Sequence, residues 1–352
     1  IDDIQVFPNV KNKKALVKLL LRGNSSGILT LEANSFNSDT LHSVVPVIRN
    51  YKIDKDSLRL DVELPMGEEM QTWDEFHPTL YRLKITMKSG KNETDVKETY
   101  FGMRDFTIKE TYFYVNDRKI VLRGTVENCV FPLTGYPSMD VESWERIFRI
   151  CRNFGLNHMR FHSYCPPQAA FTAADLVGFY LQPEGPTWPN HGSSLGDGRP
   201  VDKYLEEEEA KRIVKDYGNH PSFCMFAIGN EPRGRWVPWV SRFVDYWKSA
   251  DPRRVYTGAS VGNSWAWQPK SQFHVKAGAR GLAWDRRPET NSDYLANIDT
   301  VKQPYVAHEM GQWCVFPDFT EIRKYTGVMK ARNLELFQED LFDRGMGTLA
   351  PD

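Results

Sequence analysis

Long apolar runs are missing from this chain of 352 residues. No stretch approaches the roughly 20 apolar residues that a helix needs to cross a bilayer, so no membrane partner is expected. An excess of one charge is missing too. Lys and Arg number 45 against 46 Asp and Glu, a formal net charge of −1, so long-range attraction to nucleic acid or an anionic surface is not favoured. Cysteine is scarce: Cys129, Cys151, Cys165, Cys224 and Cys314 are scattered, with no Cys-x-x-Cys pair. That pattern points to buried free thiols rather than a disulfide frame or a zinc site. The chain opens on Ile1 and not Met, so the lack of a leader says nothing about compartment. What remains is an ordinary globular balance, 41% hydrophobic and 26% charged, with length enough for two or three domains. Aromatics reach 13%, with ten Trp. Such rings stack on sugar faces and also fill large cores, and composition does not choose between the two.

The N-terminal segment reads as all-β. Ala15–Arg22, Gly27–Ala33, Ser57–Leu64 and Leu80–Met87 are short runs of partial alternation, separated by polar turns such as Gly23-Asn24-Ser25-Ser26. Leu58, Leu60, Val62 and Leu64 alternate with Arg59, Asp61 and Glu63, as a strand with one face in and one face out requires. This spacing predicts an antiparallel sandwich over residues 1–106, in a supporting role. Glu98–Phe106 reads as the transition out of it.

Next comes a hairpin, Phe113–Val115 and Lys119–Arg123 around Asn116-Asp117. Strand and helix then alternate. The expected strands are Val121–Gly124, Leu156–Phe161, Gly178–Leu181, Phe223–Gly229, Val255–Gly258, Gln272–Val275 and Tyr305–His308. The expected helices are Val141–Phe154, Gln168–Leu176, Asp202–Tyr217, Trp236–Lys248 and most of Thr320–Arg344, with 277–297 as a long loop. In the first helix Trp144, Ile147, Phe148 and Cys151 share a face and Asp140 can cap the start. The acidic run Glu206–Glu209 lies near a helix N-terminus, so it reads as a solvated face rather than a binding site. Seven strand–helix units in order predict a parallel sheet curling into a (β/α)8 barrel over residues 107–352. No eighth strand is legible before Asp352, so the barrel is expected to be incomplete and the chain a fragment lacking at least the last unit.

The stretch around which the chain is organised is Phe223–Pro232, FCMFAIGNEP, an apolar run ending in Asn-Glu-Pro. Pro304–Gln312, PYVAHEMGQ, matches it, with Glu309 where the strand stops. Residues just past the C-terminal ends of barrel strands converge on one mouth. Those positions hold Arg160, His162 and Tyr164 after strand two, Glu184 after strand three, and Asn230 and Glu231 after strand four. His274 lies near strand six, and Glu309 and Trp313 follow strand seven. Carboxylates, imidazoles, an amide and an indole at one mouth suit a polyhydroxylated ligand. Glycoside hydrolysis needs one carboxyl group to protonate the leaving oxygen and another to attack or stabilise the oxocarbenium-like centre. A lone Glu after a strand is more often a structural acceptor of backbone amides; Glu231 and Glu309 together carry more weight than either. His162, Glu184 and His274 lack metal-ligand spacing, and no cofactor is expected.

These residues resemble glycoside hydrolase family 2, whose members include β-galactosidases, β-glucuronidases and β-mannosidases. Trp73–Tyr81 and Phe101–Arg104 are similar to the end of the family's immunoglobulin-like domain. Leu122-Arg123-Gly124 and Asn157–Tyr164 look like its first two barrel strands. Gly229-Asn230-Glu231-Pro232 looks like its acid/base strand and His308-Glu309-Met310-Gly311 its nucleophile strand. The resemblance implies an immunoglobulin-like β-sandwich followed by an incomplete (β/α)8 TIM barrel. It implies Glu231 as general acid/base, Glu309 as nucleophile, Asn230 on the sugar 2-hydroxyl, and His162 and Arg160 lining the sugar subsite. Members retain anomeric configuration, which implies carboxyl groups about 5–5.5 Å apart. The usual N-terminal jelly-roll domain and eighth strand have no counterpart here. A Tyr usual near the end of strand six is replaced by Gln272-Phe273-His274-Val275, and strand one continues as Thr125-Val126-Glu127-Asn128 rather than the basic pattern common in β-galactosidases.

The expectation is therefore an exo-acting, retaining glycosidase acting on a carbohydrate substrate. A β-galactoside is the first choice; a glucuronide, a mannoside or an arabinoside is the alternative. The rivals are a catalytically silent carbohydrate-binding protein on the same fold and an endo-acting, mannanase-like hydrolase with an open groove. A homo-oligomer is compatible with the sequence. A periplasmic or secreted location is favoured by analogy with relatives that degrade polysaccharide fragments.

Overall fold

Alternation in the N-terminal segment produces two antiparallel sheets packed face to face. The computed structural model describes residues 1–90, 92–188, 194–262, 265–276, 298–299, 301–308 and 317–347. Its first seven strands are β1 (Asp3–Asn9), β2 (Lys14–Arg22), β3 (Ser26–Phe36), β4 (Val47–Lys52), β5 (Ser57–Pro65), β6 (Leu80–Ser89) and β7 (Asn92–Phe101). They form sheets ordered β1-β2-β5 and β4-β3-β6-β7. Val62 and Leu64 of β5 stand opposite Val17 and Ala15 of β2, and the buried faces share Leu19, Leu21, Leu31, Leu83 and Ile85. Three strands escape the sequence pattern, β1, β4 and β7, and each is an edge of its sheet. Edge strands carry polar residues on positions that a central strand would fill with apolar ones. In β4 only Tyr51 is buried, and Glu98–Phe101, expected as a transition, completes β7.

A small sheet follows, β8 (Phe106–Lys109), β9 (Tyr112–Val115) and β10 (Arg118–Ile120), in the order β10-β9-β8. Asn116 and Asp117 adopt positive φ of 50° and 65°, the backbone that a two-residue hairpin turn needs. Its apolar side chains Phe106, Phe113, Val115 and Ile120 pack on Tyr180, Met225, Val255, Phe273 and Val275. Four of these partners lie in the next strands described, three of them at strand N-termini, so the small sheet is the floor of what comes next.

The parallel strands are β11 (Gly124–Glu127), β12 (His158–Phe161), β13 (Tyr180–Gln182), β14 (Met225–Asn230), β15 (Val255–Ser260), β16 (His274–Lys276) and β17 (Tyr305–Ala307). They neighbour one another in chain order. Ladders join β11 to β12 to β13, β14 to β15 and β16 to β17. The bridges Leu181–Phe223, Glu184–Ala227 and Val261–Lys276 join the rest. This is the TIM-barrel order, with strand one three residues later than expected. Val121 and Leu122 precede β11, Val121 being exposed. Strand six likewise runs to Lys276 rather than Val275. Among the described residues no bridge joins β17 to β11. Between them lies a cavity of about 800 Å3, lined by Gly124, Val126, His158, Arg160, Val306 and His308 among others.

The helices cover the outside. They are α1 (Val141–Asn153), α2 (Gln168–Val177), α3 (200–217), α4 (Trp236–Ala250) and α5 (Arg332–Asp343). Asp140 caps α1 by accepting the Ser143 N–H at 2.8 Å, and Gly178, at φ 77°, ends α2. Trp144 and Phe148 of α1 bury against Met159, Phe161 and Phe179. Two expectations need correction. The helix over Asp202–Tyr217 begins at Pro200 and contains a π-helical turn at Leu205–Glu209. The helix expected across Thr320–Arg344 is a 3-10 turn, Phe319–Lys324, and then α5. Between them the chain turns to pair with the 132–133 segment, Val328 N–H on Leu133 O and Met329 N–H on Pro132 O, and Gly327 lies so close that a Cβ would stand 2.2 Å from the Leu133 backbone. Cys129 is exposed and only Cys224 is fully buried among the described thiols, all of them free; Cys314 and the loop 277–297 lie outside the described residues. Among the described residues no helix is long and apolar enough to cross a membrane.

Candidate active site

The pleat of β12 decides which way its side chains face. Met159 and Phe161 join the helix-side core, so His158 and Arg160 point to the opposite side, into the barrel. Arg160 is 3% exposed, and a charge so buried demands partners. Its Nε and Nη2 donate to the two oxygens of Glu184 at 2.7 and 3.0 Å, a bidentate pair. Nη2 also donates to Asn230 Oδ1 at 2.8 Å and Nε to Ser260 Oγ at 3.1 Å. Nη1 lies 3.4 Å from His308 Nδ1. One guanidinium thus ties together the ends of strands two, three, four, five and seven.

Glu184 is 0% exposed and spends both oxygens on the protein. Besides Arg160, it accepts the Ser163 N–H at 2.8 Å and the Ser260 hydroxyl. His308 Nδ1 faces a guanidinium that can only donate, so Nδ1 accepts and Nε2–H donates to Val261 O at 2.9 Å. The next residue along the chain is Glu309. Glu309 and Trp313, both expected at this mouth, lie outside the described residues.

Asn230 is fully buried. Arg160 holds its Oδ1, and its Nδ2 has no hydrogen-bond partner among the described residues. Its backbone N–H donates to Thr187 O at 3.1 Å. Glu231 follows in the left-handed region, φ 44°, with its N–H on Ser260 O at 2.8 Å. A non-glycine residue held there costs on the order of 1–3 kcal/mol and marks a site where geometry outranks ease of folding. Glu231 Oε2 accepts the Trp188 indole N–H at 3.1 Å. Trp188 in turn meets the His162 ring edge-on, centroids 5.1 Å apart, and His162 Nδ1 lies 3.1 Å from Ser163 Oγ. A Cβ built on Gly262 would come within 2.8 Å of the Trp265 ring and 3.3 Å of Glu231 Oε1, so those groups converge.

Of the residues expected at the mouth, Arg160, Glu184 and Asn230 form one network, and Glu231 and His162 both meet Trp188. His274 stands apart. It opens β16, buried, with its ring 4.8 Å from that of Trp267, and burial pulls its basicity down. The mouth end of that strand is Lys276, whose ammonium donates to Trp265 O at 2.8 Å over the Trp267 ring, its pKa also lowered by burial. Deeper in the barrel, burial and then the Arg160 charge push His158 down to about 3, so it is neutral. Among the described residues no three His, Cys, Asp or Glu side chains gather as a metal site. Sequence reasoning missed Trp188, Ser260, Trp265 and His308. His308 was signalled by its place next to Glu309, and Trp188 by its place four residues beyond Glu184.

Comparison with known proteins follows the same lines. The family model described as glycosyl hydrolases family 2 matches residues 1–104, and that of the family's TIM barrel domain matches residues 106–333. A beta-galactosidase of Thermoanaerobacterium thermosulfurigenes is 30% identical over 162 residues, 46% of this chain and 22% of that protein. A beta-galactosidase of Leuconostoc mesenteroides is 26% identical over 223 residues, 61% of this chain and 21% of that protein. Among solved structures, a beta-glucuronidase of Bacteroides uniformis superposes with a TM-score of 0.69 at 17% identity, covering 86% of this chain and 39% of that one. A family 2 glycosyl hydrolase of Bacteroides cellulosilyticus gives 0.67 at 17% identity, covering 92% and 43%. The chain therefore spans about a fifth of the length of these curated relatives and about two-fifths of these solved chains.

Proposed function

The chain belongs to family 2 of the glycosyl hydrolases, and from that premise we propose that it carries the catalytic core of a retaining, exo-acting glycosidase, with both its acid/base and its nucleophile. Residues 1–106 are the support and residues 107–352 the catalytic unit. The observation that carries this reading is Glu231, turned by a positive φ to the end of strand four beside Asn230. Arg160 fixes Asn230 so that its buried amide N–H2 is left for a ligand hydroxyl.

In the first step Glu231 gives its proton to the glycosidic oxygen as the carbon–oxygen bond breaks, and a carboxylate oxygen of Glu309 bonds to the anomeric carbon. In the second, Glu231 takes a proton from water, whose oxygen displaces Glu309 and restores the starting anomer. Asn230 binds the 2-hydroxyl. His162 and Trp313 line the sugar. Glu184 acts through Arg160, which it holds by two hydrogen bonds. The substrate is a carbohydrate, and a terminal β-galactoside is the first choice, in keeping with the names of the two curated relatives.

The test is incubation with a panel of 2-deoxy-2-fluoro glycosides, followed by intact mass and peptide mapping. The fluorine slows breakdown of the glycosyl-enzyme, so the nucleophile stays labelled. A sugar adduct on Glu309 is the expected result. Folded protein that takes no adduct and hydrolyses no member of the panel overturns the proposal.

A further inference from the structure

We infer that Trp188 is a positioning residue for Glu231, its indole N–H holding one carboxyl oxygen so that the other faces the leaving group. The inference rests on the acid/base role proposed above and adds to it a residue that sequence reasoning passed over.

The contact is built by backbone, not by a chance meeting of side chains. Past β13 the chain runs on beside β14. The Gly185 N–H donates to Ala227 O at 3.0 Å and the Asn230 N–H to Thr187 O at 3.1 Å. Trp188 follows Thr187 as Glu231 follows Asn230, so the pairing delivers indole and carboxylate together. Two glycines permit so close an approach. A Cβ on Gly185 would stand 2.3 Å from Ile228 O, and one on Gly229 would stand 2.2 Å from Thr187 Cγ2. The indole plane is set by the edge of His162 at an interplanar angle of 80°, while Trp188 stays 44% exposed at the mouth.

The chemistry follows from which oxygen is taken. Oε2 accepts an N–H at 3.1 Å, and an oxygen serving as acceptor there does not carry the acid proton toward that donor. The carbonyl oxygen of a carboxylic acid is the stronger acceptor, so Oε2 takes that role and the proton goes to Oε1. That oxygen lies on the Gly262 side, 3.3 Å from where a Cβ on that glycine would stand. Oε1 gives the proton to the glycosidic oxygen and, as carboxylate, later takes one from water. A phenyl ring at position 188 would keep the packing on His162 and lose the N–H.

Two measurements test this. The first is the indole 15N–1H spectrum of the ten Trp in the unaltered protein and in Glu231→Gln, with Trp188→Phe assigning the resonance. The second compares kcat/KM of Trp188→Phe on methyl β-D-galactopyranoside, whose leaving group needs protonation, and on 2,4-dinitrophenyl β-D-galactopyranoside, whose leaving group does not. The expected result is an upfield move of the Trp188 resonance in Glu231→Gln. With it should come a fall of about tenfold to a hundredfold on the methyl glycoside, the activated one staying within about twofold. A Trp188 resonance indifferent to Glu231→Gln overturns the inference, and so does an equal loss on both glycosides. If the unaltered protein hydrolyses no glycoside, the acid/base proposal fails while the spectrum still decides the contact.

Discussion

At the scale of single residues, the barrel interior is polar and its polar groups are unequally served. Arg160 and Glu184 satisfy one another, whereas His158 Nε2, both polar atoms of the Gln182 side chain and Thr257 Oγ1 have no hydrogen-bond partner among the described residues. His158 carries a measurable consequence. Burial and Arg160 keep it neutral in the folded protein down to about 3, while an unfolded histidine takes its proton at about 6.5. Between those values the unfolded chain binds one proton more, so stability falls as pH falls, by up to about 1.4 kcal/mol per pH unit. Denaturant melts at several pH values should show this slope in the unaltered protein and not in His158→Gln. Residues whose role follows from a strand end, Arg160, Asn230 and Glu231, were legible in the sequence. Ser260 was not, and Trp188 and His308 were signalled only by nearness in sequence to Glu184 and Glu309, because it is the register between strands that brings all three to Arg160 or Glu231.

At the scale of elements, most sandwich strands are legible by alternation and the parallel strands most plainly where both faces are buried. β14 and β15 are buried at every position, so an unbroken apolar run announces them. β11 was misplaced for the opposite reason. It borders the cavity, its four residues are exposed or half-buried, and the apolar Val121-Leu122 just before it drew the assignment. One close fit between elements is the passage of the Gly185–Thr187 segment along β14. Gly229→Ala should force Thr187 aside and cost about 1–3 kcal/mol. Thr187→Ser removes the methyl group in the way but leaves the carbonyl, 2.9 Å from the added carbon. A double-mutant cycle by chemical denaturation should therefore show partial rescue, the two changes failing to add.

At the scale of the whole molecule, the sandwich and the barrel are joined by a buried charge cluster that no sequence pattern announces. Asp251 accepts from Arg253 at 2.6 and 2.9 Å and from Arg254 at 2.6 Å. Arg253 also donates to Val6 O and Gln5 Oε1 of β1 at 3.2 and 2.9 Å. Burial alone would raise the Asp251 pKa, but Arg254 and Arg253 outweigh it and hold the carboxyl well below its ordinary range. The stability it supplies is thus fully present above about pH 4 and is lost only as pH falls toward that depressed value. Asp251→Asn would leave two buried guanidinium groups without a counter-charge. The expected loss, read by denaturant unfolding at neutral pH, is about 3–5 kcal/mol.

The floor formed by β8, β9 and β10 bears on where the chain can be cut. These strands are neither sandwich nor barrel by sequence pattern, and a dissection guided by the barrel strands alone would start near Val121. Such a piece would leave Met225, Val255, Phe273 and Val275 facing water, and it would be expected to aggregate. A piece starting before Phe106 takes its own base with it. The connector is therefore the lowest storey of the barrel, and any graft, permutation or shortened version has to carry it along.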